Sequence, residues 1–361
     1  MNEIELRHLL HQRPEPSFQE YETQRILVKH IQKLGYEDIR KVGTGIVVLK
    51  KDSDGPFVLL RAEMDALPIA EQTDCAFRSQ NGYMHACGHD FHMASLCWAM
   101  RRVIENNLKG NLVFVFQPAE ESGAGAVEIL KYLQQSGMEV SAAIAMHVTD
   151  EYEAGTVASR AGVLFSASCE VDVVFKGLAA HAAFHQQGKD AIRSCVDFLK
   201  KIYETDWGQD LIWFGRLEAG SARNIVADRA LIQGTIRSTD LKAVEKRLNE
   251  IRQIAEQSCL VSKASCEVIK GTPYRQVEVD ENLCLLLERT AAKMGMKFLK
   301  SQVKLTAEDF GYFSAYYPTL MYWFGTRRGN TFGLHSPWFL PADDLIETAG
   351  ELFYEILAQL C

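Results

Sequence analysis

The sequence predicts an α/β protein with a mostly parallel mixed sheet, into which a smaller α+β domain is inserted. In the first part of the chain, short apolar runs alternate with helical patterns, which is typical of α/β layers. From about Phe165 the strands alternate apolar and polar residues, in the order strand, helix, strand, strand, helix, strand. The length of 361 residues suits two domains of ordinary size. We therefore assign residues 1–165 and 272–361 to the first domain and 166–271 to the insertion.

The elements of the first domain follow from their apolar spacing. Residues 17–35 form a predicted helix because Ile26, Leu27 and Ile31 recur between charges and Gly35 can end it. A second helix is predicted around 93–104 for the same reason. The other predicted elements are strands 44–49, 57–61, 111–116, 142–146 and 320–324 and helices 125–135, 281–294 and 342–360.

The inserted domain is predicted from strands in which apolar and polar residues alternate, and from the helices between those strands. The predicted strands are 168–175, 211–217, 230–237 and 266–269, and the helices are 190–203 and 240–257. Gly271-Thr272-Pro273 is a plausible hinge at its exit, because glycine and proline interrupt regular structure.

Composition excludes several classes of protein. Apolar residues make up 47% of the chain, and no stretch approaches the roughly 18 uncharged apolar residues of a membrane span. Charged residues at 24% and aromatic residues at 10% argue against disorder. The net charge of −8 and the lack of a Lys/Arg run argue against nucleic-acid binding.

The cysteines and the N-terminus predict a cytoplasmic location. The chain has nine cysteines, an odd number, without the spacing of a disulfide framework. The first ten residues include Glu3, Glu5 and Arg7 and do not follow the pattern of a signal peptide.

The segment 84–92, MHACGHDFH, holds three His, one Cys and one Asp within nine residues. These residue types bind zinc, manganese and related ions. Cys87 and His89 are two residues apart and can point to the same side of a turn, with Gly88 permitting unusual backbone angles. The alternative is a helix cap with ordinary surface histidines, which the density of the cluster disfavours.

The segment 116–122, FQPAEES, follows a buried strand and places Glu120 and Glu121 where α/β enzymes carry their sites. One of two such glutamates can bind a metal while its neighbour transfers protons. A charged surface loop is the alternative. Because an apolar strand precedes the segment, the functional site and the surface loop are about equally favoured.

Two further histidines complete the candidate set. His147 closes the strand 142–146, and His335 lies in Gly333-Leu334-His335. Either could be an ordinary histidine when taken alone. With Cys87, His89 and Glu121 they make five candidate ligands, which suit two ions about 3.5 to 4 Å apart that share one ligand.

Other catalytic motifs are absent from the sequence. It holds no P-loop, GxGxxG, GxSxG or HExxH. Cys87 could alternatively be a nucleophile, but a nucleophilic cysteine needs one base and an open approach rather than a crowd of potential ligands.

The chain resembles the M20 family of metallo-aminoacylases and carboxypeptidases, and most closely its amidohydrolase branch. The resemblance rests on RAEMDALP (61–68), MHACGHDFHMA (84–94) and FQPAEES (116–122). It continues through GSARNIV (220–226), GTIR (234–237), EDFG (308–311) and GLH (333–335), and so covers nearly the whole chain.

The resemblance implies a metal-dependent amidohydrolase that removes an acyl group, acetyl first among the candidates, from an N-acyl amino acid. It implies two divalent ions, of zinc, manganese, cobalt or nickel, and an inserted domain that acts as a lid and forms a homodimer. An exposed edge strand of that domain, 168–175 or 211–217, would pair across the two-fold axis. A dipeptidase or carboxypeptidase, or a relative that binds ligands without catalysis, remains an alternative.

The same resemblance implies roles for single residues. Cys87, His89, Glu121, His147 and His335 would bind the metals, Glu120 would act as general base and acid, and Asp65 would orient a metal ligand. His181 would stabilise the oxyanion, and Asn224 and Arg237 would contact the substrate.

Three stretches depart from the branch pattern. Glu63 stands where the branch usually has Asp, Ala179-Ala180 replaces a glycine pair before His181, and 185–188 lacks the usual Pro-His. These changes concern substrate identity more than reaction class. The aromatic residues between 312 and 324 form either a substrate pocket or, as is more usual, part of the core.

Overall fold

The computed structural model describes residues 1–122 and 125–361. The chain divides into two compact units. The first holds residues 1–164, 277–303 and 309–361, and the second holds 165–276 with the short segment 304–308.

Helices and strands alternate along much of the chain. The helices are α1 (Glu3–His11), α2 (Tyr21–Lys33), α3 (His89–Glu105), α4 (Gly125–Gln135), α5 (Ala191–Glu204), α6 (Leu241–Cys259), α7 (Glu281–Lys293) and α8 (Leu345–Leu360). The strands are β1 (Ile39–Val42), β2 (Gly45–Lys50), β3 (Phe57–Glu63), β4 (Leu112–Gln117), β5 (Val140–Glu153), β6 (Val157–Ser159), β7 (Gly162–Phe165), β8 (Ala167–Lys176), β9 (Leu211–Ala219), β10 (Arg229–Ser238), β11 (Ser265–Tyr274), β12 (Val277–Val279), β13 (Phe298–Lys300) and β14 (Thr319–Arg327). Short 3-10 helices cover Ala182–Gln187 and Asp309–Ala315.

The large sheet of the first unit has eight strands in the order β1-β2-β4-β3-β5-β14-β6-β13. Its four central strands run parallel, and the next strand on either side, β2 or β6, runs antiparallel to them. β3 and β4 are buried along their whole length, as expected of strands covered on both faces. The predicted α/β class with a mostly parallel mixed sheet is therefore confirmed.

This topology gathers the chemistry-bearing loops at one edge. The segments that follow β3 and β4 leave from the carboxyl ends of neighbouring parallel strands. The first leads to Asp65 and then to the start of α3, and the second carries Glu120 and Glu121. The sheet thus places residues together that are more than fifty positions apart.

The second unit has a four-stranded antiparallel sheet in the order β11-β8-β10-β9. Its core is formed by residues of these strands with residues of α5 and α6, among them Phe175, Phe198 and Leu248. β8 pairs with β10 on one side and β11 on the other, so the predicted strand 168–175 is not an exposed edge that could pair across a two-fold axis. β9 forms one edge of the sheet, which leaves 211–217 as the remaining alternative.

Some expectations differ from the structure in detail. The predicted helix over 17–35 begins only at Tyr21, because residues 17–20 form a loop whose side chains bond elsewhere. The helix α1 was not predicted; a capping box between Asn2 and Glu5 starts it. Phe313, Tyr322 and Phe324 are fully buried, so most of the aromatic set belongs to the core. In the described part of the chain, no helix is both long and apolar enough to cross a bilayer.

Candidate metal centre

The turn before α3 brings Cys87 and His89 to the same place. Gly88 between them has φ +82, and a Cβ added there would lie 2.4 Å from a methyl carbon of Val148. Only glycine fits both the left-handed angle and the close approach to β5. α3 begins directly at His89, so the two side chains leave from the two sides of the glycine.

His89 is held in a defined orientation by Asp65. Its Nδ1 lies 2.9 Å from the backbone oxygen of Asp65 and 3.4 Å from Oδ1 of the same residue. Nδ1 is therefore a donor, which leaves Nε2 as the nitrogen that a metal ion could bind. That nitrogen is buried and has no hydrogen-bond partner among residues 1–122 and 125–361. Metal-binding histidines in proteins usually have this arrangement.

His147 lies on β5 with its ring against Cys87. Its Nδ1 is 2.7 Å from the backbone oxygen of Val148, and its Nε2 is 3.3 Å from Cys87 Sγ. One ring nitrogen is thus used by the backbone and the other lies beside the thiol.

His335 and Glu121 approach Cys87 as a second pair. His335 Nε2 lies 3.4 Å from Cys87 Sγ and 3.5 Å from Glu121 Oε1. His335 has φ +63, unusual for a residue that is not glycine, and its N–H donates to the backbone oxygen of Ala86 at 3.0 Å. The two loops are therefore tied directly to each other.

The five predicted ligands form two groups that have Cys87 in common. Ligand atoms of Cys87, His89 and His147 lie within 4.8 Å of one another, and so do those of Cys87, Glu121 and His335. Sulfur, imidazole nitrogen and carboxylate oxygen are the donors that zinc and related ions accept. The residues present fit a pair of such ions with Cys87 between them.

Glu120 lies beside this donor set. A carboxylate oxygen of Glu120 is within 4.8 Å of ligand atoms of His89 and Glu121, and the residue is buried. It follows Ala119, whose φ of +53 turns the chain sharply after β4. The arrangement brings a proton acceptor next to the place where the ligands converge.

The electrostatics of the centre indicate an excess of negative charge. Burial alone would lower the pKa of His89, but the carboxylates of Asp65, Glu63 and Glu121 raise it to about 10. Burial would raise the pKa of Asp65, yet His89, Ser17 and the Glu121 amide keep it below its usual value. A divalent cation would supply the positive charge that these carboxylates favour.

The two other histidines in this region behave differently. Burial, reinforced by His92 and His89, drives the pKa of His147 well below its usual value. Partial burial of the exposed His335 ring, together with the nearby His89, also lowers the pKa of His335. Both rings therefore favour the neutral form, which is the form that binds metal.

The structure separates the three histidines of the 84–92 segment. His92 Nδ1 is 2.8 Å from Glu63 Oε2, and its Nε2 accepts the N–H of Val148 at 3.0 Å. Both nitrogens of His92 are thus engaged, and the ring fixes the backbone next to His147. His85 is buried with its ring 6.4 Å from that of His11, and of the three histidines only His89 belongs to either of the two groups that have Cys87 in common.

Several supporting residues were not found from the sequence. Arg61 is fully buried and donates to Gln117 Oε1 at 2.9 Å, to Asp309 Oδ1 at 2.7 Å and to Glu63. It links the ends of β3 and β4 to the 3-10 helix at Asp309. A charged residue at the end of the predicted apolar strand 57–61 was the available signal.

Asp150 supports the loop of His335 in a similar way. Its Oδ2 accepts the N–H groups of Phe332 and Gly333 at 2.6 and 3.0 Å. The signal in the sequence was an acidic residue three positions after His147 on the same strand.

The predicted substrate residues belong to the second unit. His181 is exposed and caps the 3-10 helix, its Nδ1 accepting the N–H of Ala183 at 3.1 Å. The backbone oxygen of Asn224 accepts the N–H of Ala182 at 2.9 Å, so Asn224 and His181 are neighbours. Arg237 lies on β10 and donates to the backbone oxygen of Leu305 at 2.6 Å.

Comparison with known proteins supports the resemblance seen in the sequence. The chain is 32% identical over 360 residues to an N-acetyldiaminopimelate deacetylase from Anoxybacillus flavithermus, with 97% of this chain and 95% of the relative covered. The stretches 161–165 and 320–325 also resemble that group of enzymes.

Two solved structures share the fold. The YXEP protein of Bacillus subtilis, described as a dinuclear metal-binding peptidase of the M20 family, matches with a TM-score of 0.86 and 29% identity, covering 99% of this chain and 97% of that one. A putative aminohydrolase from methicillin-resistant Staphylococcus aureus matches with a TM-score of 0.89 at 24% identity, covering 99% and 96%.

The family comparison covers most of the chain. The model of peptidase family M20/M25/M40 matches residues 59–359, which include every residue of the candidate centre. The protein belongs to the M20 peptidase family.

Proposed function

We propose that the protein is a metal-dependent amidohydrolase that removes an acetyl group from an N-acetyl amino acid, with N-acetyl-diaminopimelate as the first substrate to test. The observation that carries this proposal is the buried carboxylate of Glu120 beside two converging ligand groups that have Cys87 in common. The relatives named N-acetyldiaminopimelate deacetylase support the choice of substrate.

The candidate ligands would hold two divalent ions. Cys87, His89 and His147 would hold one, Glu121 and His335 would complete the other, and Cys87 would be shared. When bound, such a pair activates water and polarises the amide carbonyl. The thiolate and imidazole donors favour zinc, manganese, cobalt or nickel over magnesium or calcium.

The protein's own residues then manage protons and orientation. The carboxylate of Glu120 takes a proton from the attacking water and delivers it to the nitrogen of the leaving amine. Asp65 keeps the proton of His89 on Nδ1, so that Nε2 presents its lone pair.

The second unit would supply the substrate contacts. His181 would donate to the oxyanion, Asn224 would contact the acyl-amino-acid backbone, and the planar guanidinium of Arg237 could hold a carboxylate with two hydrogen bonds. These three roles are part of the proposal.

The test compares two adjacent glutamates. Glu120→Gln should keep the bound metal and lose about a thousandfold or more in kcat, because an amide cannot accept the proton. Glu121→Gln, its matched control, should instead weaken metal binding. Both are assayed on N-acetyl amino acids, N-acetyl-diaminopimelate included, and on a dipeptide.

The outcomes separate the alternatives. Acetate release with no dipeptide cleavage supports the deacetylase. Cleavage of the dipeptide alone would point to a peptidase, and no turnover with any of the four ions would point to a binding protein. If Glu120→Gln weakens metal binding while Glu121→Gln keeps the metal and loses kcat, the base and the ligand have been assigned the wrong way round.

We also propose a homodimer formed through the second unit. Val196 and Tyr203 on α5 and Trp213 and Leu217 on the edge strand β9 are exposed apolar side chains, and the Tyr203 and Trp213 rings lie 5.9 Å apart. An edge strand beside an apolar helix face is a surface that a second copy would cover.

Sedimentation equilibrium tests this assembly. The wild-type protein should have twice the chain mass, and Trp213→Glu should be monomeric. Val127→Glu, at an exposed apolar position of α4 in the first unit, is the control and should leave the mass unchanged. A monomeric wild-type protein would exclude the dimer.

We propose the cytoplasm as the location. All nine cysteines lie within the described residues and are free thiols, which suits a reducing compartment.

A further inference from the structure

Two buried carboxylates hold the backbone on either side of Glu120. The N–H of Ala119 donates to Glu20 Oε1 at 2.8 Å, and the N–H of Glu121 donates to Asp65 Oδ2 at 3.0 Å. The amides just before and just after Glu120 are therefore both fixed by side chains from distant parts of the sequence.

The backbone at Ala119 needs such support. Its φ of +53 lies in the left-handed region, where the Cβ of an alanine crowds the backbone. Residues in this region persist when their surroundings over-determine them, and they concentrate at functional sites. Ala119 is completely buried, and it sets the direction in which the chain continues into Glu120.

Glu20 is itself firmly placed. It is completely buried, and Thr44 Oγ1 donates to its Oε2 at 2.5 Å, so each carboxylate oxygen has a donor. Thr44 precedes Gly45, where an added Cβ would lie 2.6 Å from Cδ of Pro118. Glu20 and the 118–119 backbone thus pack together against the start of β2.

We infer that Glu20 is a positioning residue for catalysis: it holds Ala119 in the left-handed conformation and thereby directs the Glu120 carboxylate toward the metal centre. The inference rests on the proposed function, since it assumes that Glu120 transfers protons. It assigns to the loop before α2 a part in the chemistry, although Glu20 is not itself a ligand or a base.

A role in folding alone would give a different result. A buried carboxylate that only stabilises the fold lowers the unfolding temperature when removed and leaves the turnover of the folded molecules unchanged. A positioning residue lowers kcat in molecules that are still folded and still bind metal. The two roles therefore separate in kcat measured on folded, metal-loaded protein.

The variants at Glu20 are chosen for their hydrogen-bonding atoms. Glu20→Gln keeps an oxygen that can accept the N–H of Ala119 and has an NH2 group that can donate to Thr44 Oγ1. Its kcat should therefore stay close to the wild-type value. Glu20→Ala removes the acceptor, and kcat should fall about 10- to 100-fold with little change in KM, as expected for a displaced catalytic group. If Glu20→Ala does not fold, Glu20→Asp withdraws the carboxylate by one methylene and should also lower kcat.

A matched control comes from another buried glutamate. Glu3 is also buried and accepts from Arg101 at 2.7 Å. Glu3→Ala should lower the unfolding temperature but leave kcat and metal content unchanged. Equal losses of kcat in Glu20→Gln and Glu20→Ala, or an unchanged kcat in folded Glu20→Ala, would overturn the inference.

A second measurement uses the strained residue directly. In Ala119→Gly the left-handed angle has no steric cost, so the hydrogen bond from residue 119 to Glu20 should matter less for kcat. The loss of kcat caused by Glu20→Ala should shrink by about fivefold or more in this background, the factor that corresponds to the left-handed penalty. Equal losses in the two backgrounds would contradict a role through Ala119.

A crystal structure of Glu20→Ala gives a readout that needs no turnover. Ala119 should leave the positive-φ region and the Glu120 carboxylate should move away from His89. If the wild-type enzyme hydrolyses no N-acyl amino acid, the proposed function fails, while this structural readout still decides whether Glu20 holds Ala119.

Discussion

His11 on α1 gives a stability prediction that can be worked out from its contacts. The ring is almost completely buried, with Nδ1 3.0 Å from Asp90 Oδ2 and Nε2 3.1 Å from Glu71 Oε1. Burial alone would lower the pKa of His11, but the two carboxylates raise it from 6.5 to about 9. The folded protein therefore keeps a proton on His11 that the unfolded chain has already lost at neutral pH.

The sign and the size follow from this difference. Because the pKa is higher in the folded state, the stabilisation is complete below about pH 6.5 and is lost as the pH rises through about 9. Each unit of difference corresponds to about 1.4 kcal/mol, so the protonated His11 contributes about 3 kcal/mol to the free energy of unfolding. Above pH 9 that contribution should be gone.

The assay is equilibrium urea unfolding of chelator-treated protein between pH 6 and pH 10. The wild-type free energy of unfolding should fall by about 3 kcal/mol more than that of His11→Asn over this range. Ile4→Ala, which changes an exposed apolar side chain of the same helix and no titratable group, should keep the wild-type slope. Parallel curves for the wild-type protein and His11→Asn would refute the assignment of the proton to His11.

Three more predictions follow from single contacts. Arg61→Met should lower the free energy of unfolding by about 3–5 kcal/mol in urea titrations, because it removes the buried guanidinium that pairs with the buried carboxylates of Asp309 and Glu63; a loss below about 1 kcal/mol would contradict this. Gly350→Ala should cost about 1–3 kcal/mol in the same assay, because the added Cβ would lie 2.5 Å from Cβ of Trp98 across the α3–α8 contact. Dialysis against a chelator should abolish hydrolysis of N-acetyl amino acids without loss of far-UV circular dichroism, and zinc, manganese, cobalt or nickel should restore it; protein that stays active without metal would rule out a metal mechanism.

The sequence by itself determined the layers and the chemistry. Apolar periodicity indicated most helices and strands, because the requirement to bury one face acts locally along the chain. The residue types in 84–92 and 116–122 indicated metal ligands and a proton acceptor, because few other side chains bind such ions or transfer protons at neutral pH.

Only the tertiary structure decided which residues of the same type are available to bind metal and which support the site. His89 and His92 are three positions apart in one helix, yet one keeps Nε2 available while the other has both nitrogens engaged by Glu63 and Val148. Their partners lie on β3, just after β3 and on β5, so no local pattern could distinguish the two histidines.

The same reason explains the supporting residues and the edge of the second sheet. Glu20 reaches Ala119 across 99 positions, a contact that only the packing of the chain creates. β8 and β9 are both alternating strands, but β8 pairs on both sides and β9 forms an edge. A strand's own residues specify its two faces, whereas its neighbours in the sheet depend on how the whole chain folds.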